Sequence, residues 1–544
     1  MKAPSAILYV LICLVAGLRD AHTADVAPSA AAAACSSLTN GVNAAKFAQI
    51  ADASTSILSA VIQPARRDIP ETCRVEGIIA PQVGFLLYLP TTNWNGKFMM
   101  VGCGGACGMF LPFRIEPPLV RNYAVVTTDL GHKGGPANFS FAHNNIQGAI
   151  DFGYRGTHVT AVAAKELVAA FYAKPASRNY FMGCSTGGRQ ALIEAQQFPH
   201  DFEGIISGAP PLDQTGDSAF HLNWILRSNV GADKKPILTA DRLPLIHDAV
   251  MAACDAPDGL KDGVLQNPLA CTWDPGAIAC PGGARGESCL SSDEVTVVRK
   301  IYSGATDSSG EKLYFGMPRG SEDQWPMLIN IGDPPGTGAI GESMLRYGSF
   351  FHSPGTDYSV MDFDYDKDPP RLALMERIYN AQNPDLRKFK AAGGKLISFF
   401  GWNDNNIPGG AMVDYYETTM RTMGGEKATH DFYRLFMMPA VNHCQYGAGG
   451  GEADWITALE NWVEKGQAPD QIIAHHMLRE PYPLIPGEPW AQMARHPLPA
   501  GSFDRTRPLF PYPDVARWSG RGDSNQAATW IKAPRPAPPR TPAP

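Results

Sequence analysis

YFMGCSTGGRQALIEAQQFP, Tyr180–Pro199, sets a short apolar run against a turn of small residues and then a helical pattern. Gly183-Cys184-Ser185-Thr186-Gly187 fits G-x-S-x-G. In that motif a strained strand-to-helix turn pushes a serine oxygen out of a sheet, and small flanking residues allow close approach. The motif alone occurs by chance. Here RNYFMG reads as the strand before it, Gly187 and Gly188 follow it, and a helix is predicted from about Arg189. One detail asks for a separate reason: a cysteine stands directly before the serine.

Upstream, RVEGIIA, GFLLYLP, KFMMVG and YAVVTTDLG are short apolar runs ended by Gly, Pro or Asp, which predicts strands of a largely buried sheet. Thr157–Ala173 has helical spacing. Strand and helix therefore alternate, the mark of an α/β fold with a mostly parallel, covered sheet. Residues 28–75 read as an alanine-rich segment with some helix, and Cys35–Cys73 is a plausible staple within it.

From Pro210 to about Asn383 the alternation is lost among turn-rich segments such as GDPPGTGAIG, predicting an inserted lid. Alternation returns at GGKLISFFGWND, VDYYETTMRTM, DFYRLFMMPAVNHC and DWITALENWVEKG. The predicted plan is a signal peptide over 1–24, a first core part over 25–209, a lid over 210–383, a second core part over 384–530, and a disordered Pro-rich tail over 531–544.

The chain has 544 residues, 44% of them hydrophobic, enough for a large core. A net charge of -7 with no dense Lys/Arg run argues against nucleic acid or an anionic membrane as partner. Lys2 followed by AILYVLICLVAG (Ala6–Gly17) reads as an export signal cleaved between about Ala21 and Ala27. An uncleaved anchor would need a longer apolar span. Export to a secreted or periplasmic location makes the ten cysteines left after Cys13 read as disulfide partners. None of their spacings resembles a zinc knuckle.

A serine nucleophile needs a base, and the base needs an orienting acid. In α/β hydrolases these follow in the order Ser, Asp or Glu, His. KLISFFGWND delivers Asp404 just past a strand, and FYRLFMMPAVNHC delivers His443. Asp404 alone could be a solvated turn aspartate, and His443 is one of thirteen histidines. Their order, each after a strand of the same sheet, makes the pair informative. Cys184 adjoins Ser185 and Cys444 adjoins His443, so a Ser–His contact brings the two cysteines within disulfide range, roughly 7 Å between Cα atoms. The bridge would pin the two catalytic loops together. For the oxyanion hole the backbone N–H of Thr186 is expected, with a second donor from VGCGGACG, Gly105 first and Gly104 next. Cys103 and Cys107 could be bridged or free.

With these residues in view, the chain resembles the tannase and feruloyl esterase family from about Cys35 to Trp530. The resemblance rests on NWNGKFMMVGCGG, the long serine block through GIISGAP, CDAPDGLKDGVL, GGKLISFFGWND, MMPAVNHC and RTRPLFPYPDVARWSGRGDSNQAATW. It implies an α/β-hydrolase core with a disulfide-stapled lid inserted after the serine helix. It implies a triad of Ser185, Asp404 and His443 and a Cys184–Cys444 bridge. It also implies a structural Ca²⁺ held by Asp255, Asp258 and Asp262 with the carbonyls of Leu260 and Val264. Three carboxylates at this density suit a hard cation, although without the resemblance an acidic surface turn would be the better reading. Cys254–Cys271 and Cys280–Cys289 would staple the lid. Where relatives often carry a C-terminal cysteine pair, Phe510 stands at one such place and no cysteine follows.

The implied function is hydrolysis of a small aromatic ester through an acyl-enzyme: a gallate, a hydroxycinnamate such as ferulate, or a terephthalate monoester. Arg346, Tyr347 and Phe350 in the lid are candidate substrate contacts, Arg346 for a substrate carboxylate. The rival readings are an aliphatic-ester hydrolase or acyltransferase on the same triad, and a non-catalytic binding protein on a hydrolase scaffold.

Overall fold

A computed structural model describes residues 29–330, 338–478, 498 and 501–535. The expected signal peptide and residues 536–544 of the expected tail lie outside the described residues.

Nine strands form the central sheet: β1 (Thr55–Gln63), β2 (Thr72–Ile79), β3 (Val83–Pro90), β4 (Lys97–Val101), β5 (Ala124–Thr128), β6 (Arg178–Cys184), β7 (Gly204–Gly208), β8 (Lys395–Gly401) and β9 (Tyr433–Met438). Their order is β1-β2-β3-β5-β4-β6-β7-β8-β9. β1, β2, β3 and β5 pair antiparallel, and from β5 onward every pairing is parallel. This is the sheet of an α/β hydrolase.

Both faces of the sheet are covered, which is why its central strands read as unbroken apolar runs. Alternate residues feed opposite cores. Val126, Phe181 and Ile205 pack with Leu167 and Leu192 of helices Gly156–Tyr172 and Thr186–Gln197. Val125, Tyr180 and Ile206 pack on the other face with Trp455 and Trp462 of helix Trp455–Lys465.

Among the described residues between β7 and β8, no strand joins the central sheet. The helical segments there build cores of their own, one around Ile246, Val298 and Trp325, another around Phe220, Tyr314 and Phe363. This is the expected lid. Cys254–Cys271 and Cys280–Cys289 are both bridged within it, and Cys35–Cys73 ties the first helix to β2.

One expectation is extended and one corrected. The segment 28–75 holds the expected helix, over Ala30–Ser37 and Gly41–Phe47, and also a strand that was not expected: TSILSAVIQ forms β1, an edge strand whose buried and exposed positions roughly alternate. Its small residues weaken the strand signal, and pairing with β2 decides it. The expected tail does not begin at 531, because Trp530–Ala533 pairs antiparallel with Val515–Trp518.

Candidate active site

β6 runs into the serine turn, and Ser185 has φ 64° and ψ -131°, a strained conformation for a residue with a side chain. The turn closes because its neighbours are glycines. A Cβ on Gly183 would lie 2.6 Å from the Gly187 carbonyl carbon, and one on Gly188 would collide with the Gly208 carbonyl oxygen. The Ser185 N–H donates to Gly208 O at 3.0 Å, fixing the turn against β7. Thr186 opens the following helix, so its N–H is one of the first-turn donors without an intrahelical acceptor.

Asp404 lies in the loop after β8 and is fully buried. Its Oδ1 accepts from the N–H groups of Asn406 (2.8 Å) and Ile407 (3.0 Å), and its Oδ2 accepts from His443 Nδ1 at 2.7 Å. His443 lies in the loop after β9 and keeps 19% side-chain exposure. The acid therefore fixes one ring nitrogen and leaves the other to face outward chemistry.

Cys184 and Cys444 are bridged, with Cα atoms 5.9 Å apart. Ser185 and His443 are thus the chain neighbours of two covalently joined residues. Among the described residues no hydrogen bond joins the Ser185 hydroxyl to the imidazole. Such contacts are often long before substrate binds. A cavity of about 190 Å³ abuts the bridge on the side of Met182, Ile206, Phe399 and Trp455. Gly102 and Arg114 also line it, whereas Ser185 and His443 do not.

The loop after β4 reaches the serine turn: Thr186 Oγ1 donates to Gly105 O at 2.6 Å. Gly105 has φ +59°, and a Cβ there would collide with Pro136 O, so glycine is required. Cys103 and Cys107 are bridged across four residues. From the helix Pro112–Leu119, Arg114 Nη1 reaches back to Cys103 O (2.8 Å), Cys184 O (3.2 Å) and Gly102 O (3.4 Å). Burial lowers the Arg114 pKa to about 10, which still leaves a cation at neutral pH.

The lid touches the acid loop through Asn403, whose Nδ2 donates to Gly320 O at 2.7 Å. Asp217 is buried on the lid side, and burial first, then Asp404 and Asp213, push its carboxyl well above the usual range. Arg346 donates to Tyr358 O (2.6 Å) and Glu342 Oε1 (2.8 Å), and Phe350 is 3% exposed within the lid's own aromatic core. Both are engaged in lid packing. Tyr347 instead packs against the cluster that contains Cys103 and Cys107.

In the predicted calcium loop, Asp255 Oδ1, Asp258 Oδ2 and Asp262 Oδ1 are buried without a hydrogen-bond partner. Burial first, and then Asp262 and Asp255, push Asp258 up to about 7. Gly263 N–H donates to Asp255 Oδ2 (2.8 Å), Leu260 N–H to Asp258 Oδ1 (3.0 Å), and Arg507 to Asp262 Oδ2 (2.8 Å). Orphaned oxygens on three acids fit a hard cation. Among the described residues a tighter cluster exists elsewhere: ligand atoms of His158, Glu194 and Asp201 lie within 4.8 Å of one another. There His158 Nδ1 is bonded to Asp201 Oδ2 at 2.6 Å and Lys165 Nζ lies 3.6 Å from Asp201 Oδ1, so Lys165 already supplies a positive charge.

Sequence reasoning missed Arg114, Asp217 and the state of Cys103 and Cys107. An arginine within the Pro-containing stretch LPFRIEPPL gives no periodic signal, and its carbonyl partners exist only in the folded loop.

The family model described as "Tannase and feruloyl esterase" matches residues 67–533. An uncharacterized esterase of Xanthomonas campestris is 31% identical over 88% of this chain and 88% of its own. Mono(2-hydroxyethyl) terephthalate hydrolase of Piscinibacter sakaiensis is 31% identical over 94% of this chain and 93% of its own. Among solved structures, feruloyl esterase B from Aspergillus oryzae superposes with a TM-score of 0.79 at 24% identity, covering 93% of this chain and 100% of that one.

Proposed function

The chain belongs to the tannase and feruloyl esterase family and is a carboxylic ester hydrolase, and from that premise we propose that it cleaves esters of aromatic acids with Ser185, His443 and Asp404. His443 takes the Ser185 proton as the oxygen attacks the ester carbonyl. The backbone N–H groups of Thr186 and the loop after β4 stabilise the tetrahedral oxyanion. Collapse expels the alcohol, which receives the proton from His443, and leaves an acyl-serine. Water, deprotonated by His443, releases the acid and restores the hydroxyl. Asp404 holds the imidazole tautomer throughout. The observation that carries this reading is the His443 Nδ1–Asp404 Oδ2 hydrogen bond of 2.7 Å on a loop tethered by disulfide to the serine turn.

The aromatic acyl group rests on the relatives: a terephthalate monoester hydrolase, and proteins named as probable feruloyl esterases. Tyr347, packed against the cluster that contains Cys103 and Cys107 with its ring 5.6 Å from that of His143, is the lid residue we favour as a substrate contact. Ca²⁺ would be held by Asp255, Asp258 and Asp262, with the carbonyls of Leu260 and Val264, and would neutralise the lid loop without entering the chemistry. Five disulfides support secretion into an oxidising compartment.

The deciding experiment is side-by-side turnover of methyl gallate, methyl ferulate, mono(2-hydroxyethyl) terephthalate and the aliphatic ester methyl butyrate by the wild type and by Ser185→Ala. We expect an aromatic ester to be preferred over an aliphatic one and Ser185→Ala to abolish turnover. Full activity in Ser185→Ala, or a preference for aliphatic esters, refutes the corresponding part of the reading.

A further inference from the structure

We propose that Arg114 is a positioning residue for the oxyanion hole, and that it selects the Gly104 N–H, beside that of Gly105, as the donor facing the reacting oxygen. This rests on the assignment of Ser185 as nucleophile and goes beyond it.

The inference follows from counting where each N–H and carbonyl of the loop is spent. The N–H of Cys103 goes to Gln190 Oε1 (3.0 Å), that of Ala106 to Pro136 O (2.7 Å), that of Cys107 to Gly104 O (3.0 Å) and that of Gly108 to Asp129 O (3.3 Å). Among the described residues, Gly104 and Gly105 alone in this run keep an uncommitted N–H. A trans peptide is planar, so its N–H points opposite its carbonyl. Cys103 O is drawn to the Arg114 guanidinium at 2.8 Å, which turns the Gly104 N–H away from the arginine. Gly104 O is held by the Cys107 N–H, which directs the Gly105 N–H away from Cys107. The Cys103–Cys107 bridge closes the loop that makes both orientations possible.

The same guanidinium nitrogen accepts a second duty. It donates to Cys184 O at 3.2 Å, and that carbonyl belongs to the peptide whose N–H anchors Ser185 to Gly208 O. One cation therefore registers the donor loop against the nucleophile turn. Because the oxyanion exists only in the transition state, loss of this register should appear in kcat and leave substrate binding intact.

The test uses the full-length enzyme with Arg114→Lys and Arg114→Gln, assayed on whichever panel ester the wild type turns over. Thermal midpoints and the affinity of an arylboronic acid, a tetrahedral-adduct mimic, are measured alongside. We expect KM within about 2-fold of wild type and kcat lowered roughly 10–100-fold in Arg114→Gln, against 10²–10³ for outright loss of a donor. Arg114→Lys should retain more activity, and boronate affinity should fall in step with kcat. An unchanged kcat, or a kcat loss with undiminished boronate affinity, overturns the proposal. If Arg114→Gln does not fold, Arg114→Lys carries the same comparison. Inactive Ser185→Ala beside unaffected Arg114 variants would sink this inference alone, whereas active Ser185→Ala sinks the nucleophile assignment beneath it.

Discussion

Cys184 and Cys444, 260 residues apart in sequence, are joined with their Cα atoms 5.9 Å apart, and each immediately neighbours one member of the candidate Ser–His pair. Because both cysteines also line a cavity, a small thiol reductant can approach the bond. Reduction with dithiothreitol, or the double change Cys184→Ala with Cys444→Ala, should lower kcat at least 10-fold before the core unfolds. It should remove roughly 2–4 kcal/mol of stability. Activity, mass-spectrometric bond status and near-ultraviolet circular dichroism followed together check this; full turnover with the bond open would contradict it.

Asp404 fixes the His443 tautomer by accepting from Nδ1, while two backbone N–H groups hold the carboxylate. Asp404→Asn keeps the size but favours the wrong tautomer. Its kcat should fall on the order of 10³–10⁴-fold, as for the equivalent aspartate in serine proteases, with KM little changed. Steady-state kinetics on a chromogenic ester measure this.

His247 lies on the lid helix Leu243–Cys254 and bonds the fully buried Glu322 at 3.1 Å. The hydrogen bond to Glu322 raises the His247 pKa against the opposing effect of burial. A raised histidine contributes stability that is complete below its unfolded pKa of about 6.5 and is lost as pH rises through the folded value. His247→Gln should therefore cost about 1–2 kcal/mol at pH 5.5 and distinctly less at pH 8.5. Denaturant titrations at the two pH values read the difference, and an equal cost at both would exclude the linkage.

Gly188 permits contact between the nucleophile helix and β7, since a Cβ there meets Gly208 O. A backbone atom cannot swing aside as a side chain can. Gly188→Ala should cost about 1–3 kcal/mol or more and lower kcat by displacing Ser185. Thermal melts and kinetics of the purified variant test both parts.

Calcium removal by a selective chelator should lower the thermal midpoint, and re-addition should restore it, because three orphaned carboxylate oxygens then lose their counter-charge. Neutralising one acid by Asp258→Asn should reduce the response to chelation. An unchanged melt after metal analysis confirms removal would refute a calcium role.

Local patterns made most of the core readable. RVEGIIA, GFLLYLP and KFMMVG became β2, β3 and β4 because an uninterrupted apolar run can be satisfied only by burial on both faces. The serine turn was legible as a motif, but only the Gly183 constraint is local, a Cβ there meeting Gly187; the constraints on Gly187 and Gly188 come from the loop after β4 and from Gly208 of β7. β1 was not: its small, alternating residues become a strand only when β2 supplies hydrogen-bond partners.

Thus sequence alone determined the α/β alternation, the interrupted lid and the order of serine, aspartate and histidine, since each depends on spacing along the chain. Only the tertiary structure decided that Cys103 pairs with Cys107, that Arg346 and Phe350 are engaged inside the lid, and that Arg114 reaches three carbonyls from two loops. Side-chain partners of that kind are set by three-dimensional proximity, and no periodicity along the chain encodes them.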